Sequence, residues 1–183
     1  GDISPGASAW VLTASDPDHP KQIATAPKTI GSATWSPDEH QIYFVAQAKT
    51  DAPPGYSDLF ALTLADGVVR DLSDGFDGSI GHGEPIAADD GVLEDVQAGT
   101  HTTIARFVGD HHQLLHFDTG TVTQLNTNAH RTGWVWIGAS SDRPPTLYYA
   151  AKLADNPAIL KTPDLIPATW TPVHSQLVTW KSE

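Results

Sequence analysis

The sequence contains no cysteine and no methionine among its 183 residues. Without cysteine there is no disulfide, no thiolate metal ligand and no cysteine nucleophile. Cysteine usage does not fix the compartment, because periplasmic and cytosolic domains can both lack it. With no methionine even at position 1, the sequence reads as processed or as a piece of a longer chain. Its opening Gly1-Asp2-Ile3 lacks the charged-then-apolar pattern of a signal peptide. Basic residues are scarce, with 10 Lys+Arg against 22 Asp+Glu and a formal charge of −12. Such a surface repels phosphate backbones and anionic lipid, so neither nucleic acid nor a membrane is an expected partner. An acidic field favours cationic or neutral ligands, and its plainer use is to keep a domain soluble. No apolar run approaches the roughly 18 residues a membrane-spanning helix needs. Helical periodicity is nearly absent as well.

What remains is a turn-rich pattern of short strands, with 15 Gly and 14 Pro. Runs of Val, Ile, Leu, Tyr, Phe, Trp and Thr alternate with Gly, Pro, Asp and Asn. At 39% hydrophobic and 17% charged, the chain is too apolar to be disordered. Four segments share one form: a strand, a polar turn and a second short strand. They are Ala9–Ala14 with Lys21–Ala24, Asp58–Thr63 with Val68–Leu72, Thr103–Phe107 with Gln113–Phe117, and Thr146–Ala151 with Pro157–Leu160. Taking Trp10, Leu59, Ile104 and Leu147 as equivalent anchors, the spacings are 49, 45 and 43 residues. A strand-built repeat of this length predicts an all-β fold of the β-propeller type, with four strands per blade. An immunoglobulin-like sandwich has no such longer period.

The clearest blade runs from about Lys28 to Ser73. Its first strand, Gly31–Trp35, is closed by the turn Ser36-Pro37-Asp38-Glu39, where proline presets φ and Ser and Asp can bond nearby backbone groups. Its second strand, Gln41–Ala46, is apolar on both faces, as suits a sheet lying between two others. The stretch Lys49–Tyr56 is a longer loop. The next blade starts near Gly81, with strands Glu84–Ala88 and Gly91–Val96 about the turn Asp89-Asp90-Gly91. The last uses Gly120–Leu125 and Gly133–Gly138, with Arg143-Pro144-Pro145 introducing its third strand. This makes about three complete blades plus a partial one over residues 1–162. Such a set leaves apolar faces uncovered, so the remaining blades are expected in the same parent protein before Gly1, or else in another chain.

The C-terminal end resembles a known family. Val178-Thr179-Trp180-Lys181-Ser182 is similar to the junction that follows the last blade in bacterial prolyl oligopeptidase family members, especially the acylaminoacyl-peptidase and dipeptidyl-peptidase-like branch. Trp35-Ser36-Pro37-Asp38 before Ile42-Tyr43-Phe44 resembles that family's blade motif. Arg143-Pro144-Pro145-Thr146-Leu147-Tyr148 resembles the approach to its last blade. Glu39 departs from the motif, which has glycine there, and Ser4-Pro5-Gly6 looks like a shortened copy without its Asp. The resemblance implies that residues 163–183 are a linker toward an α/β-hydrolase domain absent from this sequence. It also implies a serine peptidase of short peptides, in which the propeller restricts substrate access. The alternative is a non-catalytic propeller serving as a protein- or peptide-binding platform; a lyase or glycosidase propeller is a third, weaker possibility.

No catalytic residue is assigned in this chain. A hydrolase nucleophile of that family needs Gly-x-Ser-x-Gly, which does not occur; Ser8 and Ser57 follow a glycine but lack the closing one. Among the nine histidines, His112 and His116 share a strand face while His111 points the other way. Two imidazoles four residues apart on a strand lie roughly 13 Å apart, too far to share an ion unaided. Asp74, Asp77, Asp89 and Asp90 lack the ligand order of an EF-hand and read as turn residues. The six tryptophans, Trp10, Trp35, Trp134, Trp136, Trp170 and Trp180, lie mostly in strand patterns and read as core. No cofactor and no metal is expected. The one candidate substrate contact is Asp51, placed in the long loop where a carboxylate could hold a peptide's free amine.

Overall fold

The structure is a computed structural model that describes residues 8–25, 30–47, 57–81, 83–162, 169, 171, 173 and 176–181. Among the described residues all regular structure is strand. A hairpin of β1 (Ser8–Thr13) and β2 (Asp16–Thr25) comes first. The second sheet is a meander of β3 (Ile30–Trp35), β4 (Gln41–Ala46), β5 (Asp58–Thr63) and β6 (Val69–Asp71). The third contains β7 (Ser79–Ile80), β8 (Ile86–Ala88), β9 (Gly91–Ala98), β10 (His101–Val108) and β11 (His111–Leu114). The fourth is a meander of β12 (Thr121–Thr127), β13 (Trp134–Ser140), β14 (Arg143–Ala150) and β15 (Ala158–Lys161). All pairings are antiparallel. Among the described residues three blade-like sheets, two of four strands and one of five, and a two-stranded half blade are thus present, in line with the repeat, and the chain divides into compact units at 1–116 and 117–183.

Several boundaries differ from expectation, each for a physical reason. β2 starts at Asp16 rather than Lys21, because Asp16 pairs with Thr13 directly across a two-residue turn. The blade expected to start near Gly81 starts at Ser79, and its first strand is broken into β7 and β8. Both pieces pair with β9, Ile80 opposite Val96 and Ile86 opposite Leu93, and Gly83, Glu84 and Pro85 lie outside the strand pairing. Glycines and Pro85, which has no N–H to donate, favour that departure. The outer strand β11 ends at Leu114, so His116 lies beyond it. Arg143-Pro144-Pro145 does not merely precede the third strand of the fourth sheet but begins it. The prolines fall at a register irregularity between Gly138 and Ser140, where ladder bonds are not demanded of them.

In the first unit the core lies where the second and third sheets meet. Tyr43, Val45, Leu59 and Ala61 of β4 and β5 face Val92, Val96, Ala105 and Phe107 of β9 and β10, with Leu72, Ile80 and Ala87 completing the cluster. Phe44, Ala46 and Leu62 form a separate cluster on the other face of the second sheet, so β4 is buried on both sides. In the second unit Trp136 stacks on Tyr148 and meets Phe117 edge-on, and its indole N–H donates to Thr119 Oγ1 at 3.1 Å. The tryptophans divide against the expectation of a uniform core. Trp134 and Trp136 are buried, whereas Trp10, Trp35 and Trp180 are largely exposed. Trp10 sits on a sheet of only two strands, Trp35 ends its strand, and Trp180 lies outside any sheet. Trp170 lies outside the described residues.

Candidate functional site

Two features of the first unit combine burial with polar chemistry. The first is a cavity of about 340 Å³ between the second and third sheets. Its inner walls are Tyr43, Ala61, Leu72 and Phe107, all of the core cluster. Gly91 lets β9 run close to β10, since a Cβ there would lie 2.1 Å from the Phe107 carbonyl oxygen. The Tyr43 hydroxyl donates to Gln41 Oε1 at 3.3 Å, and Gln41 Nε2 donates to Thr63 Oγ1 at 3.4 Å. Burial raises the Tyr43 pKa, with a smaller push from Asp38, so the phenol stays protonated.

The cavity's rim carries charge. Asp66 belongs to the turn after β5, where its Oδ1 accepts the Val68 N–H at 3.0 Å. Asp90 lies in the turn between β8 and β9 and pairs with Arg106 at 3.2 Å. Arg70 of β6 reaches across to Asp110, in the turn between β10 and β11, tying the two sheets together at the surface. Both ion pairs are solvent-exposed, so each contributes little to stability.

The second feature is Glu94, in the middle of β9. It lies between Val92 and Val96 on the face that packs on the second sheet, opposite Ala105. Only 3% exposed, neither of its carboxylate oxygens has a hydrogen-bond partner among the described residues. It sits beside the break in the first strand, where a Cβ on Gly83 would lie 3.4 Å from its Oε1. Burial, reinforced by the neighbouring Asp95 charge, pushes the Glu94 pKa up to about 8. Nothing in the sequence reasoning singled out Glu94. The signal was its parity with Val92 and Val96, which places an acid among core residues.

The candidates named from sequence fare differently. Asp51 lies outside the described residues. His112 is packed edge-on against Phe76 and close to Phe107, on the rings of the core. Among the described residues no three His, Asp or Glu side chains are grouped to hold a metal ion. Asp90 is a turn residue, as read, but it also lines the cavity. The family-like turn Ser36–Glu39 forms with Ser36 Oγ donating to Asp38 Oδ1 at 2.6 Å and accepting the Gln41 N–H at 2.8 Å. The Ser36 hydroxyl and the His40 N–H lower the Asp38 pKa. After β15, residues 176–181 carry no regular structure, and Leu177, Val178 and Trp180 are exposed.

No family model and no curated protein matches the sequence. Solved structures do share its fold. One is a candidate TolB from Agrobacterium tumefaciens, 13% identical, with 83% of this chain and 55% of that one covered at a TM-score of 0.60. An acylaminoacyl peptidase from Pyrococcus horikoshii is 9% identical, with 84% of this chain and 22% of that one covered at 0.57. A chain of a nidogen/laminin complex is 16% identical, with 85% and 58% covered at 0.56. The chain therefore spans little more than half the length of two of these structures and about a fifth of the peptidase. Identities this low establish the fold alone, and that fold is the β-propeller.

Proposed function

We propose that this chain is the propeller portion of a prolyl-oligopeptidase-like serine peptidase, where it restricts the access of short peptides to a hydrolase domain. The observation that carries this reading is the segment after the fourth sheet. It resembles the family's junction in sequence, and it presents Val178 and Trp180 to solvent, Trp180 at 82% exposure. An apolar stretch left outside every sheet is what a following domain would cover. The fold shared with an acylaminoacyl peptidase supports the same reading. In such a protein the bond is cut by acyl transfer through Ser, His and Asp of the hydrolase domain. The propeller contributes steric selection and an acidic field that favours a peptide's free amine, with Asp51 as the candidate contact. Residues 163–183 would then be the linker between the two domains.

The test is to express the complete parent reading frame and treat it with a serine-reactive fluorophosphonate. Labelling of the parent, with none of the 183-residue chain alone, is expected. A parent that does not label, or a frame without a downstream Gly-x-Ser-x-Gly, overturns the proposal. That outcome would favour the second reading, a binding platform, which the shared fold with a TolB and with a chain of a protein–protein complex supports.

A further inference from the structure

We propose that the cavity between the second and third sheets receives a basic side chain, lysine or arginine, from an extended peptide. Tyr43 and Leu72, each with a residual 7% exposure, present a ring and methyl groups to a space of about 340 Å³, within the range of small-ligand sites. Such walls suit an aliphatic stem, and an aromatic face also attracts a cation.

The rim then selects the sign of the head group. Asp66 comes from one sheet and Asp90 from the other, so two carboxylates border the opening. Asp90 shares its charge with Arg106, whereas Asp66 uses one oxygen only on a backbone N–H of its own turn. The one basic residue lining the cavity, Arg70, is drawn away to Asp110, which does not line it. An anionic ligand would have to take Arg70 from Asp110 and approach a chain of charge −12. A cationic one meets the exposed Asp66 carboxylate and is steered in by the same field. A lysine stem along Tyr43 and Leu72 with its ammonium toward Asp66 and Asp90 satisfies both parts of the cavity at once. The site lies within the first unit and involves no residue of a hydrolase domain, so it stands or falls separately from the peptidase reading.

The experiment titrates the 183-residue chain with three capped tripeptides, Ala-Lys-Ala, Ala-norleucine-Ala and Ala-Glu-Ala, and follows backbone amide resonances. The lysine peptide is expected to bind tightest and to shift amides of Thr63–Leu72 and Asp90–Gly109 together. Its affinity should fall as salt is raised, while the weaker norleucine affinity should not. Asp66→Asn and Asp90→Asn, both at exposed turn positions, should each weaken the lysine peptide by roughly two- to fivefold and leave norleucine unchanged. Equal binding of the lysine and norleucine peptides by the unmodified chain overturns the proposal without reference to any variant. So does a lysine affinity indifferent to both substitutions, or shifts confined to other segments.

Discussion

Glu94 is the residue at which this structure is most exposed to pH. A carboxyl that ordinarily loses its proton near 4.5 keeps it up to about 8 in the folded chain. Between those values the folded state binds a proton that the unfolded state has released. Stability is therefore greatest below the ordinary value and falls as pH rises toward the folded one, by about 1.4 kcal/mol per unit of pH while the difference persists. Unfolding free energies from urea titrations at pH 5.5 and pH 8.5 are expected to differ by about 3 kcal/mol, with the alkaline sample the less stable. Glu94→Gln, which cannot ionise, should remove most of that difference. A variant that keeps the full pH dependence would show that other groups produce it. The residue could not have been identified from composition, since an acid in a strand ordinarily points outward. Its inward position depends on the register that pairs Glu94 with Ala105, and register is a property of two strands together.

At the scale of elements, the turn between β3 and β4 shows how a departure from a motif is accommodated. Glu39 stands where the family motif has glycine, and it adopts φ of 59°, in the left-handed region. For a residue with a Cβ that conformation costs roughly 1–2 kcal/mol. The extra freedom of an unfolded glycine costs roughly 0.5–1 kcal/mol in the other direction. Glu39→Gly should therefore raise the thermal midpoint by a few degrees, as followed by circular dichroism; a lower midpoint would mean that Glu39 makes a compensating contact. Elements with one dominant pattern were legible: β5 occupies the residues read for it, Asp58–Thr63, and the two-sided apolar run of β4 is buried on both faces. Elements whose local signals conflict were not. β14 contains two prolines that read as a preceding loop, and the first strand of the third sheet is split at glycines that read as its beginning. The cavity was illegible for another reason: it depends on which face of one sheet meets which face of the next, and the repeat does not specify that.

For the whole molecule, the repeat length alone carried the fold, because a sheet of four short strands must hide two faces and finds cover in its neighbours. The uncovered ends of the chain follow the same rule. Residues 176–181 are exposed and lie outside every sheet, so truncating the isolated chain from 176 onward should leave its thermal midpoint within about a degree. A large drop would place this segment in the folded core instead. If a hydrolase domain follows as proposed, the expectation reverses, since Trp180 would then be covered by it. The meander order has a last consequence, for biosynthesis. Each ladder joins strands close together in the chain, so no sheet waits for a distant segment. As the polypeptide leaves the ribosome, β3 to β6 can zip shut before β9 has been translated, and that completed sheet then offers a ready face for the third to pack on.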